Sequence, residues 1–280
     1  MMELFNKKTE FIFKHNVDAK KQSNDLLFIF ENNEVYIFRN NVPAINDLVK
    51  NNIQCDIDNL LCFGTINSQQ CFCLKNNLPA SNILLDKVLL KTSYSILSEA
   101  SYQAAVLANH LSHWLMTHKY CGACKGDNNV CVNELALQCA NCNLRIYPII
   151  SPCVIGLIYK GNEILLAQAK QSLNNIYGCI SGFVNPGENL EAALAREVYE
   201  EVGLNIHNIK YVTSQHWPFP NSLMIGFTAE YLSGDINVDT VEISDAAWYD
   251  IDSPDKLPNL PSGISVSRHL INEFCTRYAK

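Results

Sequence analysis

Three glutamates in the second half of the chain have a spacing that could bind a metal ion. Glu197, Glu200 and Glu201 are spaced i, i+3 and i+4, and a rotation of about 100° per helical residue places such residues on one face. Clustered carboxylates repel one another unless a cation neutralises them, and hard oxygen ligands favour Mg²⁺ or Mn²⁺. A solvated acidic face is the alternative that this spacing alone leaves open.

The segment around these glutamates carries the end signals of a helix. Asn189 can cap the N-terminus, Glu191 complements the helix dipole, and Gly203 supplies the C-terminal stop. A loop that starts at Gly182 leads into this helix. We therefore expect a loop and a helix to present the carboxylates together.

A second group of chemically distinctive residues is formed by four of the twelve cysteines. Cys121 and Cys124 form one CxxC pair, Cys139 and Cys142 form another, and 14 residues separate the pairs. This arrangement is typical of a zinc ribbon, because four thiolates satisfy tetrahedral Zn²⁺ without an open position. A redox CxxC motif needs only one pair and would leave the second unexplained. We expect one structural Zn²⁺ per chain.

The remaining N-terminal and central cysteines receive no chemical role. They are one thiol between the two CxxC pairs, Cys131, and four nearer the N-terminus, Cys55, Cys62, Cys71 and Cys73. For the four nearer the N-terminus, the irregular spacing favours small buried apolar residues over a metal site.

Length and composition indicate more than one domain and no membrane span. The chain has 280 residues, whereas the domain that carries the glutamates should need about 130. No apolar run is long enough to cross a bilayer, and the N-terminus lacks the apolar core of a signal peptide, so a cytoplasmic location is expected. The net charge of −7 argues against extended non-specific nucleic-acid binding, although it does not exclude the end of an RNA as a substrate.

Apolar periodicity and turn residues predict the elements that must position these groups. Strands are expected at 26–30 and 35–39, joined as a hairpin, and an amphipathic helix at 97–118. Further elements are expected in the C-terminal half: strands at 152–159, 163–168, 176–180, 209–213 and 223–231, and a terminal helix at about 265–278.

The spacing around the glutamates matches a known motif at every specified position. It consists of Gly182, then Glu188, then Arg196-Glu197-Val198, then Glu200-Glu201-Val202-Gly203-Leu204. The chain thereby resembles a Nudix hydrolase. This resemblance implies an α/β/α sandwich and metal-dependent cleavage of nucleoside diphosphates linked to another moiety.

A second motif narrows the resemblance. The segment Ser214-Gln215-His216-Trp217-Pro218-Phe219-Pro220-Asn221-Ser222 agrees with the SQPWPFPxS signature of NADH pyrophosphatases at seven of eight specified positions. The departure is His216 in place of proline, which removes one fixed φ angle and puts the stiffness of the loop in doubt. The resemblance implies hydrolysis of NAD(H) to nicotinamide mononucleotide and AMP, and removal of NAD caps from RNA.

The order of the segments supports the same family. The predicted fold class is α/β, with a Nudix α/β/α sandwich at 147–280 preceded by a zinc ribbon at 119–146. A connecting helix at 97–118 and a small β-rich domain at 1–96 come before the ribbon. The resemblance covers residues 97–280 well and the N-terminal domain only loosely.

The resemblance also implies roles for individual residues. Glu188 and Arg196 would brace the loop against the helix. Mg²⁺ or Mn²⁺ would be bound by Glu197, Glu200, Glu201 and Glu242, with Glu201 as the first choice for general base and Glu200 or Glu242 as the alternatives. Substrate would be bound by Phe183, Tyr147, Gln215, Trp217, Ser222 and Ser267, with Phe183 and Tyr147 stacking on a base and Tyr147 acting across the interface of a homodimer.

Three other functions remain open at this point. A related hydrolase could act on ADP-ribose or dinucleoside polyphosphates, and an RNA-decapping enzyme could use its zinc ribbon to contact RNA. A non-catalytic nucleotide sensor is the third, and the intact set of box carboxylates argues against it.

Overall fold

The computed structural model describes residues 11–53, 60–74, 85–172 and 174–278. These residues form two compact units. The N-terminal unit comprises 11–149 with Pro218–Asn221, and the C-terminal unit comprises Ile150–Trp217 with 222–278. Cys55, for which burial is predicted, lies outside the described residues.

The N-terminal unit contains, in its described residues, three small sheets and two α-helices. The sheets have the strand orders β1-β5-β6-β2, β3-β4-β7 and β10-β9-β8. The elements are β1 (Phe11–Phe13), β2 (Leu26–Phe28), β3 (Phe30–Glu31), β4 (Glu34–Ile37), α1 (Ile45–Lys50), β5 (Leu60–Ile66), β6 (Gln69–Leu74), β7 (Asp86–Leu89), α2 (Glu99–Thr117), β8 (Asn128–Val130), β9 (Leu137–Cys139) and β10 (Arg145–Ile146).

The predicted N-terminal hairpin is present but shorter than expected. Only Phe30–Glu31 pairs with β4, whereas Leu26–Phe28 pairs in parallel with β6 in another sheet. Asn32 and Asn33 form the turn with φ angles of 50° and 65°, the left-handed conformation that a two-residue hairpin turn requires. Cys62, Cys71 and Cys73 are buried as predicted.

The predicted connecting helix is confirmed as α2. Its N-cap is Ser98, whose hydroxyl accepts a hydrogen bond from the backbone N–H of Ser101 at 3.2 Å. Throughout the described part of the chain, no helix combines the length and the apolar character that crossing a membrane requires.

The C-terminal unit is built around one mixed sheet of six strands and two α-helices. The strand order is β14-β15-β11-β12-β16, and β13 pairs with β11 beside this path. The elements are β11 (Ser151–Lys160), β12 (Glu163–Ala169), β13 (Ile180–Phe183), α3 (Leu190–Val202), β14 (Asn205–Trp217), β15 (Ser222–Ser233), β16 (Ile243–Asp250) and α4 (Val266–Tyr278).

The two faces of the sheet are covered by different helices, as the predicted sandwich requires. Val154 and Ile158 of β11 belong to the core that contains Leu194 and Val198 of α3. Their neighbours in β11 belong to a second core, together with residues of α4, since successive strand residues point to opposite faces. The members of that second core from these elements are Ile155, Leu157, Leu270, Ile271 and Phe274.

Three predicted strands have other bounds in the structure. The strand expected at 176–180 is found at Ile180–Phe183, where it pairs with Cys153–Gly156 of β11. The preceding residues bond to scattered partners: Tyr177 N–H donates to Asn259 O, and Gly178 exchanges two hydrogen bonds with Ala167. The strands expected at 209–213 and 223–231 extend further, because β14 and β15 form one long antiparallel hairpin.

Candidate active site

The helix that carries the glutamates begins and ends where the sequence predicts. The side chain of Asn189 accepts a hydrogen bond from the backbone N–H of Ala192 at 2.8 Å. Gly203 ends the helix with a φ angle of 73°, a conformation that is strained for residues with a Cβ atom. Local capping therefore fixes the rotational position of α3, and with it the face on which the glutamates lie.

Arg196 connects this helix to the loop that precedes it. Its guanidinium donates to both carboxylate oxygens of Glu188, at 2.6 and 2.9 Å, and to the backbone oxygen of Phe183 at 2.9 Å. It also donates to Glu197 and Glu200, each at 2.8 Å. The Arg196 guanidinium, with help from a backbone N–H, lowers the pKa of Glu188 to about 2. Glu188 is thus a permanently ionised brace at neutral pH.

Gly182 allows the Glu197 carboxylate to lie directly against β13. A Cβ atom on Gly182 would be 1.9 Å from the Glu197 carboxyl carbon and 2.1 and 2.2 Å from its oxygens. No such contact is sterically possible. The first glycine of the motif is therefore required because the backbone and a carboxylate approach each other closely.

Glu201 is the buried member of the cluster, with 7% of its surface exposed. Burial and the negative charges of Glu197, Glu242, Asp239 and Glu200 together raise the pKa of Glu201 to about 8. The charges that shift its pKa are all negative. A set of hard carboxylate oxygens in such surroundings fits a divalent metal ion.

The loop that supplies Glu242 is attached to the protein on both sides. Asp239 N–H donates to the backbone oxygen of Glu201 at 2.8 Å. Lys170 donates from its backbone N–H to Glu242 O at 2.7 Å and from its Nζ to Thr240 O at 2.6 Å. Sequence reasoning missed Lys170 and Asp239. An acidic residue three positions before Glu242 was an available signal for Asp239, whereas nothing in the sequence links Lys170 to a loop 70 residues away.

These residues surround a cleft of about 950 Å³ in the C-terminal unit, a size that suits a small-molecule ligand. Its walls include five of the predicted acidic and basic side chains and two of the predicted substrate residues: Arg196, Glu197, Glu200, Glu201, Glu242, Phe183 and Ser267. Strand and loop residues complete them, among them Cys153, Lys170, Gly178, Cys179 and Pro261. Phe183 is 56% exposed, so its ring is available for stacking.

Comparison with known proteins agrees with this geometry. A model of the NUDIX domain matches residues 150–271. Residues 150–271 therefore form a NUDIX domain. Within this Nudix unit, the matched residues include the box, the sheet and most of α4.

Curated relatives extend the similarity beyond the Nudix domain. The chain is 43% identical over 178 residues to a protein named NAD-capped RNA hydrolase NudC from Chromobacterium violaceum, covering 64% of this chain and 66% of that protein. It is 40% identical over 190 residues to a protein of the same name from Pseudomonas syringae pv. tomato, covering 68% and 66%. The chain thus spans slightly less than two thirds of the length of these relatives.

Solved structures offer a more distant comparison. A crystal structure of a NUDIX hydrolase from Nitrosomonas europaea covers 57% of this chain and 91% of its own, with 17% identity and a TM-score of 0.49. This likeness is too distant to add to the family assignment.

The SQHWPFPNS segment does not line the Nudix cleft. Gln215, His216 and Trp217 are the last residues of β14, and Trp217 is paired with Ser222 at the start of β15. Among the described residues, neither Gln215, Trp217 nor Ser222 belongs to the cleft walls. The segment is paired on both sides of a short turn, with His216 opposite Leu223 inside the ladder.

Two further predicted groups lie in the N-terminal unit. Tyr147 is exposed, and its hydroxyl donates to Glu134 at 2.9 Å. The four thiols of the CxxC pairs converge, with all sulfur atoms within 4.8 Å of one another: Cys121, Cys124, Cys139 and Cys142.

The pKa of Glu201 generates a prediction about stability. In buffer freed of Mg²⁺ and Mn²⁺, the folded protein keeps the Glu201 proton up to a pKa of about 8, whereas the unfolded chain releases it at an ordinary carboxyl pKa of about 4.3. The raised folded-state pKa means that this contribution to stability is present at acidic pH and is lost as pH rises towards 8. Glu201→Gln should lack this loss and should be more stable than the wild type at pH 8.

Thermal unfolding followed by circular dichroism across this pH range measures the effect. Glu191→Gln, a substitution at an exposed position in the first turn of the same helix, should keep the wild-type dependence on pH. Parallel curves for the wild type and Glu201→Gln would contradict the prediction.

Proposed function

We propose that the chain hydrolyses the pyrophosphate bond of NAD(H) to nicotinamide mononucleotide and AMP, and that it also removes NAD caps from RNA. The observation that carries the proposal is the cluster of Glu197, Glu200, Glu201 and Glu242 on one side of a cleft of about 950 Å³. The substrate is supported by the name NAD-capped RNA hydrolase that the two relatives carry, and by the SQHWPFPNS segment.

The carboxylates are suited to Mg²⁺ or Mn²⁺. Glu197 and Glu201 would hold the ion from α3, Glu242 from its loop, and Glu200 from the more exposed side of the helix. When bound, a divalent cation would neutralise pyrophosphate oxygens, lower the pKa of the attacking water and keep Glu201 ionised.

The residues of the chain would perform the other steps of the reaction. Glu201 would accept the proton of the attacking water, because it is the most deeply buried carboxylate of the cluster that lines the cleft. Arg196 does not bind substrate: the carboxylates and the carbonyl around it occupy its donors. The water oxygen forms a new bond to phosphorus, the bridging P–O bond breaks, and the bridging oxygen leaves on the other mononucleotide.

Base recognition is assigned to stacking. Phe183 follows Gly182 in β13 and presents an exposed ring at the cleft, where a flat base gains from an aromatic face. Tyr147 is the proposed partner, supplied by the second chain of a homodimer. The cytoplasm is the location that goes with free NAD(H) and RNA as substrates.

The zinc ribbon is proposed to be structural. The sulfur atoms of Cys121 and Cys142 are 3.7 Å apart and those of Cys124 and Cys139 are 3.4 Å apart. The backbone N–H of Gly126 helps to lower the pKa of Cys124 to about 6, whereas the backbone hydrogen bond from Leu144, which lowers the pKa of Cys142, is outweighed by hydrogen bonds with the neighbouring thiols, which raise it to about 12. Binding of Zn²⁺ would release the protons that the four thiols share. All four ligand positions are filled by protein, so the site leaves no position for a reacting water.

Hydrolysis in ¹⁸O-water tests the function directly. Incubation with NADH and Mg²⁺ or Mn²⁺ should give nicotinamide mononucleotide and AMP, and mass analysis should find one ¹⁸O in only one of the two products. A panel with ADP-ribose, a dinucleoside polyphosphate and NAD-capped RNA ranks substrates by kcat/KM. Preference for ADP-ribose, or no turnover of any of them, would overturn the proposal.

Substitution of the buried carboxylate should abolish most activity without unfolding the protein. Glu201→Gln removes a charge next to the metal and the proposed base at little change in volume, so turnover of NADH should fall by about a hundredfold or more. Glu191→Gln on the same helix is the matched control and should keep wild-type turnover. Steady-state rates at saturating metal measure the effect. Near-normal turnover of Glu201→Gln would disprove the role assigned to Glu201.

Removal of the Phe183 ring should affect binding of a base. Phe183→Ala should lose about 1 to 3 kcal/mol of stacking, which corresponds to a fall of about 5- to 150-fold in kcat/KM for NADH. Tyr199→Ala, which removes an exposed aromatic ring outside the cleft walls, is the control and should have little effect.

Two truncated substrates identify the stacked base. ADP-ribose lacks the nicotinamide, and an analogue with an abasic ribose in place of adenosine lacks the adenine. Whichever substrate lacks the stacked base should be unaffected by Phe183→Ala. Equal losses for all three substrates would show that the ring only packs against its loop.

Loss of one ribbon thiol should release zinc and lower stability. Cys139→Ser removes a buried ligand, so the protein should lose its zinc, about one ion per chain, and unfold at a lower temperature. The dependence of hydrolysis on Mg²⁺ or Mn²⁺ should remain. Elemental analysis of freshly purified protein measures the zinc, with Cys131→Ser, between the two pairs, as the control that retains it.

A further inference from the structure

Gln215 is connected to the cleft although it does not line it. Its side-chain amide is used at both ends: Nε2 donates to the backbone oxygen of Ile264 at 2.7 Å, and Oε1 accepts from the backbone N–H of Val266 at 2.9 Å. Both partners lie about 50 residues further along the chain. The amide therefore joins the end of β14 to the start of α4.

The two backbone groups that Gln215 binds have few other possible hydrogen-bond partners. Ile264 and Val266 are buried, and Val266 is the first residue of α4. N–H groups in the first turn of a helix have no acceptor within the helix, and buried backbone polar groups require a partner. Gln215 thus satisfies one N–H group of this helix terminus, beside Ser265, whose hydroxyl accepts from the backbone N–H of Ser267 at 3.2 Å.

Ser267, the residue after Val266 in α4, lies in the wall of the cleft. The Ser267 hydroxyl accepts a hydrogen bond from the backbone N–H of Cys179 at 2.9 Å, and the Cys179 thiol donates to Ser267 O at 3.8 Å. A Cβ atom on Gly178 would lie 3.0 Å from Ser267 Oγ and 3.5 Å from Pro261. All four of these residues line the cleft, so the segment 261–267 and the segment 178–179 fit closely as one wall.

We propose that Gln215 is a positioning residue for the substrate-binding wall of the cleft, acting through the Ile264–Ser267 segment without touching the substrate. The inference rests on the proposed function, in which this cleft binds a dinucleotide. It differs from the sequence-based expectation that Gln215 itself contacts substrate. It also explains how a motif outside the cleft can influence which substrate the cleft accepts.

The kinetic test is Gln215→Met, which keeps the length of the side chain and removes both hydrogen bonds. The KM for NADH should rise by about tenfold, the factor expected for about 1.4 kcal/mol of lost binding, while kcat and the dependence on Mn²⁺ concentration stay near wild type. Gln168→Met is the matched control, since the Gln168 amide donates to Asn175 at the protein surface. It should leave KM unchanged.

A chemical readout that needs no turnover is the reactivity of Cys179. Burial raises the pKa of both Cys179 and Cys153 to about 12, and both line the cleft. Cys153 lies in β11, paired with Phe183, and is not attached to the segment that Gln215 fixes. Gln215→Met should therefore increase iodoacetamide labelling of Cys179 relative to Cys153 in the folded protein, as measured by mass spectrometry.

A double variant tests the route. If Gln215 acts through Ser267, then Ser267→Ala should raise KM, and adding Gln215→Met to it should cause little further change. Additive effects would overturn the proposal, as would a higher KM for Gln215→Met without any change in Cys179 labelling, because this would place Gln215 against the substrate. A lowered melting temperature with unchanged KM and labelling would reduce Gln215 to a packing role and overturn it too.

The two proposals fail in different ways. If the wild type does not hydrolyse NADH, the proposed function is wrong, and Cys179 labelling still decides whether Gln215 positions the wall. If NADH is hydrolysed but labelling is unchanged, only the positioning role is wrong.

Discussion

The active cleft depends on how Arg196 distributes its hydrogen bonds. One guanidinium serves Glu188, Glu197, Glu200 and the Phe183 carbonyl, and it makes no hydrogen bond to Glu201. The loop and the helix are joined by this one charge, and Glu201, the most buried carboxylate of the cluster, takes no part in it. Burial and the neighbouring carboxylates raise the pKa of Glu201 to about 8. A bound divalent cation would offset this excess of negative charge, as the proposed metal-dependent hydrolysis requires.

The same arrangement requires a close approach that few residues permit. Glu197 occupies the space in which a side chain of residue 182 would lie, and Gly182 is held in place by pairing with Val154 of β11. The carboxylate thus takes its position from the central strand of the sheet as well as from its own helix. Because β11 also pairs with β12 and, on its other edge, with β15, the position of Glu197 is tied to a strand that is itself held by three neighbours.

Local features could be predicted from the sequence, and non-local ones could not. The caps Asn189 and Gly203 were found because capping depends on residues within one turn. The strand expected at 176–180 was displaced towards Phe183, because its position depends on pairing with β11, about 30 residues earlier. Glu242 could be named from its place in the family pattern. Lys170, which fixes the loop carrying Glu242, could not, since its partners are chosen by the fold.

The SQHWPFPNS segment is linked to the cleft without lining it. Its resemblance to a substrate signature implies that Gln215, Trp217 and Ser222 bind substrate, which stays a prediction, and these residues form the end of a hairpin beside the described cleft walls. One side-chain amide connects the segment to the cleft. Gln215 binds the backbone at the start of α4, and Ser267, in the first turn of that helix, lies in the cleft wall. Under the proposed function, the catalytic carboxylates and the substrate wall would be fixed by separate parts of the unit, the first by Arg196 and β13 and the second by Gln215 and α4. Such a separation would allow substrate preference to change through the hairpin while the proposed metal ligands keep their geometry.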